Sequence, residues 1–311
     1  MHLGIDFGGS HIKYGLVDNN QMIACEQFSL QGMTFGGILN RTADHALSML
    51  HGNHIELSQL EGLAIALPGV VNSHEKKLIA INDKYLDALS FDFVSWSMQN
   101  FGMEADVFND AKMALMGEVY SGVAKGHQDV SMVIVGTGIG TAVMMNGQVL
   151  KSRNHTAGNL GGHFLAQTDG VKCSCGNHGC VEAYVSNSIL HERVHQQWDL
   201  SDSALSSVSK IDYKAIFDRY ETEKKAKQIG DSLIAHWAGL VVNMLHAYDS
   251  EVVILSGGVF NSKIDIRQKI EDYVNNNAWL PKNSYKLVHA ENPSYSVLLG
   301  AESKNANYFI Q

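Results

Sequence analysis

The sequence predicts an α/β protein built from two duplicated halves, each led by antiparallel strands around a glycine turn. The first 30 residues read as strand, turn, strand, turn, strand (HLGID, FGGS, HIKYGLV, DNNQ, MIACEQF), and both turns carry the Gly and Asn/Asp residues that tight hairpins need. The same order returns around Met132 as SMVIV, GTGIG, TAVMM, NGQ and VLKS, and Gln21-Met22-Ile23 is echoed by Gln148-Val149-Leu150. That return is an internal repeat of one supersecondary unit. Two later strands, Gly62–Leu67 and Val252–Leu255, are continuous apolar runs that stop at Pro-Gly and at Ser-Gly-Gly, the pattern of buried strands bounded by turn residues.

The elements follow in order. Ile38, Leu39, Ala43, Ala46, Leu47 and Leu50 recur at three-to-four spacing and predict a helix over Gly37–Leu50. Gly62–Leu67 is an apolar strand stopped by Pro68 and Gly69. Ala105–Phe108 is a further strand, ending in Asn109-Asp110 and running into a helical segment at Ala111–Val119. Ser201–Ser209 reads as a surface loop. Beyond it Ile229, Leu233, Trp237, Leu240, Val241 and Met244 mark a long helix with one buried stripe. This helix delivers the chain to the strand Val252–Leu255, ended by Ser256-Gly257-Gly258, and α/β sheets place ligand contacts at such carboxyl ends.

Composition narrows the function. With 311 residues, 45% hydrophobic and 18% charged, the chain has enough material for about two domains and no need of disulfide staples. Its net charge of −9 argues against a nonspecific grip on nucleic acid or anionic lipid. The opening MHLGIDFGGS has no basic, then apolar, leader, and nowhere do about 18 apolar residues run together. A soluble, cytoplasmic protein is expected.

Asp6-Phe7-Gly8-Gly9-Ser10 and Gly136-Thr137-Gly138-Ile139-Gly140-Thr141 occupy equivalent places in the two halves. Glycine turns let backbone N–H groups approach phosphate oxygens, and the hydroxyls add donors; the competing reading is two tight hairpin turns and nothing more. Neither is GxxxxGK[ST], and neither opens a helix as GxGxxG does. Asp6, at a strand end beside the first turn, is placed to hold the water shell of a Mg²⁺ bridging nucleotide phosphates. Asp110 is either the N-cap of the helix it begins or a general base that takes a sugar hydroxyl's proton as the oxygen attacks the γ-phosphorus.

Cys173, Cys175 and Cys180, with His163 upstream, offer three thiolates and an imidazole. That set closes a tetrahedral Zn²⁺ site with no open position, a structural metal. Cys25, on an early strand, reads as a packed thiol. His191-Glu192-Arg193-Val194-His195 is an HExxH sequence, which on a helix is the zinc-peptidase pattern, although no third-ligand pattern follows it; the alternative is one face of an amphipathic helix over Ser186–Trp198.

GIDFGGSHIKYGLVD, ALPGVV, FNDAKMALMGE, VIVGTGIGTAV, CSCGNHGCVE and ILSGGVF, in this order, resemble the ROK family of sugar kinases and sugar-responsive repressors, from residue 4 to LLGAE at 298–302. The resemblance implies an actin-like (ribonuclease-H-like) ATPase fold of two duplicated α/β domains with a cleft between them. The expected domains are 1–115 and 116–295, with a helix around 296–311 packing back on the first. It implies that Gly8, Gly9, Ser10 and the stretch Gly136, Thr137, Gly138 and Gly140 face ATP phosphates, with Gly257 and Gly258 by the adenosine. Asp110 would be the base, Gly69, Asn109, His163 and Glu182 would contact the sugar, and His163, Cys173, Cys175 and Cys180 would hold zinc. The implied partners are ATP, Mg²⁺, a small sugar and a second copy in a homodimer, without nucleic acid or membrane.

The function so implied is transfer of phosphate to the 6-hydroxyl of a hexose or N-acetylhexosamine. A sugar-sensing regulator of the same family is the alternative, and it would need a DNA-binding region, for which the sequence ahead of the first strand leaves no room. One segment departs from the family pattern. The family's usual Glu-x-Gly-His becomes Gly158-Asn159-Leu160-Gly161-Gly162-His163, so Asn159 or Leu160 stands for a Glu that binds sugar hydroxyls. Losing that acceptor puts the sugar's identity in question, and kinases of the family that handle N-acetylmannosamine also vary here.

Overall fold

The structure, a computed structural model, describes residues 1–81 and 85–302. The chain opens with β1 (His2–Phe7), β2 (His11–Asp18), β3 (Gln21–Ser29) and α1 (Phe35–Gly52). It continues through β4 (Gly62–Leu67), a small hairpin of β5 (Val70–Asn72) and β6 (Lys77–Ala80), α2 (Phe93–Phe101), β7 (Ala105–Asn109) and α3 (Asp110–Ser121). The second set is β8 (Val130–Val135), β9 (Ile139–Met145), β10 (Gln148–Val149), α4 (Glu182–Val185), α5 (Leu190–Gln197), α6 (Tyr213–Phe217) and α7 (Lys224–Tyr248). It closes with β11 (Val252–Ser256), α8 (Ile266–Asn277), β12 (Lys286–His289) and α9 (Ser296–Leu299).

The duplication is visible in the strand order. One sheet runs β3-β2-β1-β4-β7 and the other β10-β9-β8-β11-β12. In both, an antiparallel pair leads (β1 with β2, β8 with β9) and parallel neighbours follow (β4 and β7, β11 and β12). The equivalent hairpin turns use the same chemistry. Asn19 and Asn20 have φ of 48° and 66°, Asn146 and Gly147 50° and 72°, the paired positive φ of a turn whose twist matches its strands.

By packing, the chain divides into two compact units, residues 1–127, 146–159 and from Ala290 onward, and residues 128–145 and 160–289. A border between 115 and 116 would cut through α3. The helix expected over 296–311 is described only to residue 302; residues 303–311 lie outside the described set.

Within the first unit both faces of the sheet are covered. Leu3, Ile5 and Phe7 of β1 join Ile38, Leu39, Ala46 and Leu50 of α1 and Phe93, Trp96 and Phe101 of α2 in one core. On the other face Ala64 and Ala66 of β4 meet Phe108, Met113 and Ala301. Two covered faces explain why β4 is apolar throughout and shows no alternation. β3, at the sheet edge, alternates and leaves Cys25 exposed, so the expected packed thiol is instead a surface group.

The second unit follows the same logic. Ile229, Leu233, Trp237, Leu240, Val241 and Met244 form the buried stripe of α7, and Trp237 sits edge-on to Tyr213 of α6 at 5.4 Å. All five residues of β11 are buried.

α3 and α9 touch backbone to backbone. A Cβ on Gly117 would lie 2.0 Å from the Ser296 carbonyl oxygen, and one on Gly300 2.1 Å from that of Met113. The buried carboxylate of Glu118 fixes the pair, accepting from the Ser296 hydroxyl and from Val123 and Glu291 N–H. Gly117→Ala therefore forces the two helices apart, whereas Gly239 of α7 has nothing within 4 Å of its would-be Cβ. Thermal melts should show Gly117→Ala destabilised by about 2 kcal/mol or more, and Gly239→Ala unchanged or up to about 1 kcal/mol more stable from helix propensity. Equal melting temperatures for the two variants would contradict this packing.

Candidate active site

In the first unit, β1, β4 and β7 are adjacent parallel strands, so their carboxyl ends lie side by side. They carry Asp6, Leu67 with the following Gly69, and Asn109-Asp110. Asn109 is the N-cap of α3: its Oδ1 accepts from Lys112 N at 3.1 Å. Its Nδ2 donates to the Gly69 carbonyl at 2.9 Å and to Asp110 Oδ1 at 3.0 Å. The cap is thus Asn109, and Asp110 is the first helical residue, its Oδ1 also accepting from Ala111 N at 2.7 Å. The capping reading of Asp110 is corrected by one position, because Asn and Asp cap equally well and stand side by side.

Two carboxylates meet here. Burial pushes Asp6 up to about 7, with the negative charge of Asp110 adding to the rise and Lys13 opposing it. Burial also pushes Asp110 up to about 6, against the stabilising N–H groups of Ala111 and its own backbone and the Asn109 amide. Lys13 is the cross-strand partner of Asp6, and its Nζ donates to the Ser294 carbonyl at 2.7 Å. Gly8 begins the turn after β1, where a Cβ would press to 2.8 Å from the His11 carbonyl. The Gly8 carbonyl accepts from the Tyr85 hydroxyl at 2.7 Å. Gly9 and Ser10 complete the turn, with Ser10 exposed.

In the second unit, Gly136 N–H donates to the Gly138 carbonyl at 3.0 Å, and the carbonyls of Gly136 and Thr137 accept from Asn187 and Ser188 N–H. Gly140 lies beyond the turn, in β9 opposite Ile134. Glu182, which opens α4, accepts from Ile139 N–H at 2.8 Å through Oε2, and a side chain on Gly138 would collide with that oxygen. Gly257 ends β11 at φ 126°, and a Cβ there would sit 2.0 Å from the Val135 carbonyl. The parallel pairing of β11 with β8 therefore brings Gly257-Gly258 against the strand end that leads into Gly136.

His163, Cys173, Cys175 and Cys180 come together, their ligand atoms all within 4.8 Å of one another. Tetrahedral bonding at about 2.3 Å to sulfur and about 2.1 Å to nitrogen sets ligand-to-ligand edges of roughly 3.8 and 3.6 Å. Here Cys175 Sγ and Cys180 Sγ are 3.7 Å apart, and Cys173 Sγ and His163 Nδ1 3.6 Å. The set fits Zn²⁺ with His163 Nδ1 as the nitrogen donor, leaving Nε2 on the far side of the ring. Upstream, Asn159 is buried, its Nδ2 donating to the His155 carbonyl at 3.4 Å and its Oδ1 without a hydrogen-bond partner, while Leu160 is exposed.

The HExxH helix is built otherwise than the peptidase reading requires. His191 Nδ1 accepts from Ile211 N–H, His195 Nδ1 donates to the His191 carbonyl, and Glu192 takes the Gln196 amide. Among the described residues, the single His/Cys/Asp/Glu group of metal-binding geometry is the one at His163. Sequence reasoning missed Lys13, which the β1/β2 register could have exposed. It also missed Tyr85, whose contact with Gly8 spans 77 positions and leaves no local signal. Among the described residues no helix is long and apolar enough to cross a membrane.

The family model described as ROK family matches residues 2–303. A glucokinase of Thermotoga maritima is 25% identical, covering 97% of this chain and 96% of its own length. An N-acetylmannosamine kinase of Salmonella arizonae is 28% identical over 83% of this chain and 82% of its own. A xylose repressor of Bacillus spizizenii is 25% identical over 99% of this chain and 77% of its own. Among solved structures, a ROK family glucokinase from Streptomyces griseus, in complex with glucose and AMPPNP, superposes with a TM-score of 0.80 at 22% identity, covering 96% of this chain and 97% of its own. The fold is the actin-like ATPase fold.

The cysteine cluster makes a direct prediction. Protein purified without added metal should carry about one zinc per chain, and Cys175→Ser should lose most of it and melt several degrees lower, because ligation energy is folding energy for the loop that carries the cysteines. Metal-free protein with an unchanged melting temperature would contradict a structural metal.

Proposed function

The chain belongs to the ROK family, and on that premise we propose that it is an ATP-dependent sugar kinase acting on the 6-hydroxyl of a hexose or N-acetylhexosamine. The observation that carries the reading is Asp110, a carboxylate on the first residue of α3, just past the end of β7, whose pKa is raised to about 6 by burial. A carboxylate poised near neutrality is ionised at pH 7 and still basic enough to take a hydroxyl proton in the transition state. The Asn109 amide and Ala111 N–H both hold Oδ1 and so limit how the carboxylate can turn. Kinase relatives support this reading; the repressor relative keeps a sugar-sensing regulator as the second one, separated from the first by turnover.

The glycine turns are assigned to the phosphates, Gly8, Gly9 and Ser10 in the first unit and Gly136, Thr137, Gly138 and Gly140 in the second, with Gly257-Gly258 by the adenosine. Asp6 fits a Mg²⁺ role: a buried carboxylate whose charge is disfavoured by its surroundings is stabilised by a cation, and as a hard oxygen donor it would hold the ion through its water shell. When bound, that ion supplies charge neutralisation for the phosphates. The sugar is assigned to Gly69, Asn109, Asp110, His163 and Glu182. His163 would serve zinc through Nδ1 and the sugar through Nε2, and Glu182 would link the sugar to the Gly136–Ile139 turn it already holds. The unpartnered Oδ1 of Asn159 favours Asn159 over Leu160 as the polar group standing where the family has its Glu.

The reading is tested by ADP release from Mg-ATP with a panel of hexoses and N-acetylhexosamines. At least one sugar should stimulate release well above the sugar-free rate, and stimulation by none would overturn it. Asp110→Asn should lose at least about two orders of magnitude in kcat with little change in Tm, since Asn109 keeps the cap and general-base assistance is worth roughly 10²–10⁴. A variant within about threefold of the parent would remove Asp110 from the role. The pH profile follows from the base form being required. With saturating Mg-ATP, whose cation would hold Asp6 ionised, log kcat should rise with unit slope up to about pH 6 and flatten above it, and a flat profile across that range would contradict an Asp110 base.

A further inference from the structure

The first glycine turn is held from a distance by a side chain that neither turn motif contains. Tyr85 has φ of 57° and ψ of 33°, the left-handed region that a bulky side chain rarely enters. A residue kept in that conformation is over-determined by its surroundings, and such positions concentrate at functional sites. The surroundings here are consecutive residues of one segment. The Tyr85 ring stands edge-on to Phe7 at 6.2 Å, its hydroxyl donates to the Gly8 carbonyl at 2.7 Å, and the charge of Asp6 is felt at the phenol. Burial and that charge push the phenol above its ordinary range, so the hydroxyl remains a donor. Phe35 also stands edge-on to the ring at 6.2 Å.

We infer that Tyr85 is the positioning residue of the first phosphate turn, its hydroxyl holding the Gly8 carbonyl so that the Gly8–Gly9 peptide presents one fixed face to the nucleotide. A peptide is planar, with its N–H opposite its C=O. Tethering the Gly8 oxygen on the Tyr85 side therefore aims the Gly9 N–H the other way. Glycine puts little resistance in the way of a peptide flip. A flip would replace that N–H with a carbonyl oxygen, exchanging attraction for repulsion at a phosphate. The same stretch of chain carries Gly69, whose Cβ would lie 2.4 Å from the Ala80 carbonyl and 3.2 Å from Ile81. Ala80 and Ile81 thus press on a sugar-assigned glycine, while Tyr85 tethers the phosphate turn.

This inference rests on the kinase reading, and Tyr85→Phe tests it while keeping the ring and its packing. Titration with Mg²⁺ and the non-hydrolysable analogue AMPPNP should show the variant binding about three- to tenfold more weakly, the effect of one lost hydrogen bond. KM for ATP should rise in parallel, with kcat and the sugar KM within about twofold and Tm within about 3 °C of the parent. A general structural role would move Tm and both KM values together. Nucleotide affinity within about twofold of the parent overturns the inference and leaves the kinase reading standing. A parent protein that binds no Mg-AMPPNP overturns both.

Discussion

One side-chain amide organises the first unit's end of the sheet. Asn109 caps α3 with its oxygen and spends its nitrogen on the Gly69 carbonyl and the Asp110 carboxylate. Through it the last residue of β7, the turn after β4 and the first residue of α3 share one geometry. Asp110 is therefore placed by the strand and helix ends together, at the positive end of a helix dipole that favours its ionised form, while burial works against ionisation and wins by a margin that leaves the group poised near pH 6. Neither a capping Asp nor an exposed one would be balanced in this way.

Close backbone approach is the second constraint. Gly117 and Gly300 let α9 lie against α3, and Gly257 lets β11 end on the carbonyl of Val135. α3 carries Asp110, and the end of β8 carries Gly136, so both approaches fix elements on which candidate site residues ride. The buried carboxylate of Glu118 is tolerated beside the first of them because a hydroxyl and two backbone N–H groups satisfy it. In the second unit the cysteine cluster and the turn are joined by α4, with Cys180 two positions before Glu182 and the Glu182 carboxylate on Ile139 N–H.

Much of this was legible in the sequence, for identifiable reasons. The repeat showed because both hairpin turns need Asn or Gly at positive φ, and β4 and β11 showed because strands covered on both faces are uniformly apolar. The Cys/His cluster was legible because its four members lie within eighteen positions of one another. What escaped depended on long-range contacts. The cap was displaced from Asp110 to Asn109 because two good capping residues are adjacent. Cys25 proved exposed because an edge strand cannot be told from an inner one by a short alternating run. The hairpin β5–β6 is too short for periodicity to mark, and α8 carries only Ile266, Ile270 and Val274 as its buried stripe. Tyr85 and Lys13 have no motif at all; they matter through a hydroxyl bonded to Gly8 from 77 positions away and through the strand register. Of the two readings of HExxH the amphipathic-helix face agrees with the contacts, since its histidines serve Ile211 and a helical carbonyl.

The proposed reaction is one chemical event, attack of a sugar 6-hydroxyl on the terminal phosphorus of ATP with its proton leaving to Asp110. The most direct test is the phosphorus-31 NMR spectrum of a reaction of the unaltered protein with Mg-ATP and the sugar it accepts. The account predicts ADP and a sugar monophosphate in equal amounts, the monoester phosphorus split into a triplet by the two protons on C6. ATP consumed with only inorganic phosphate appearing, or a monoester signal split by a single ring proton, would contradict it.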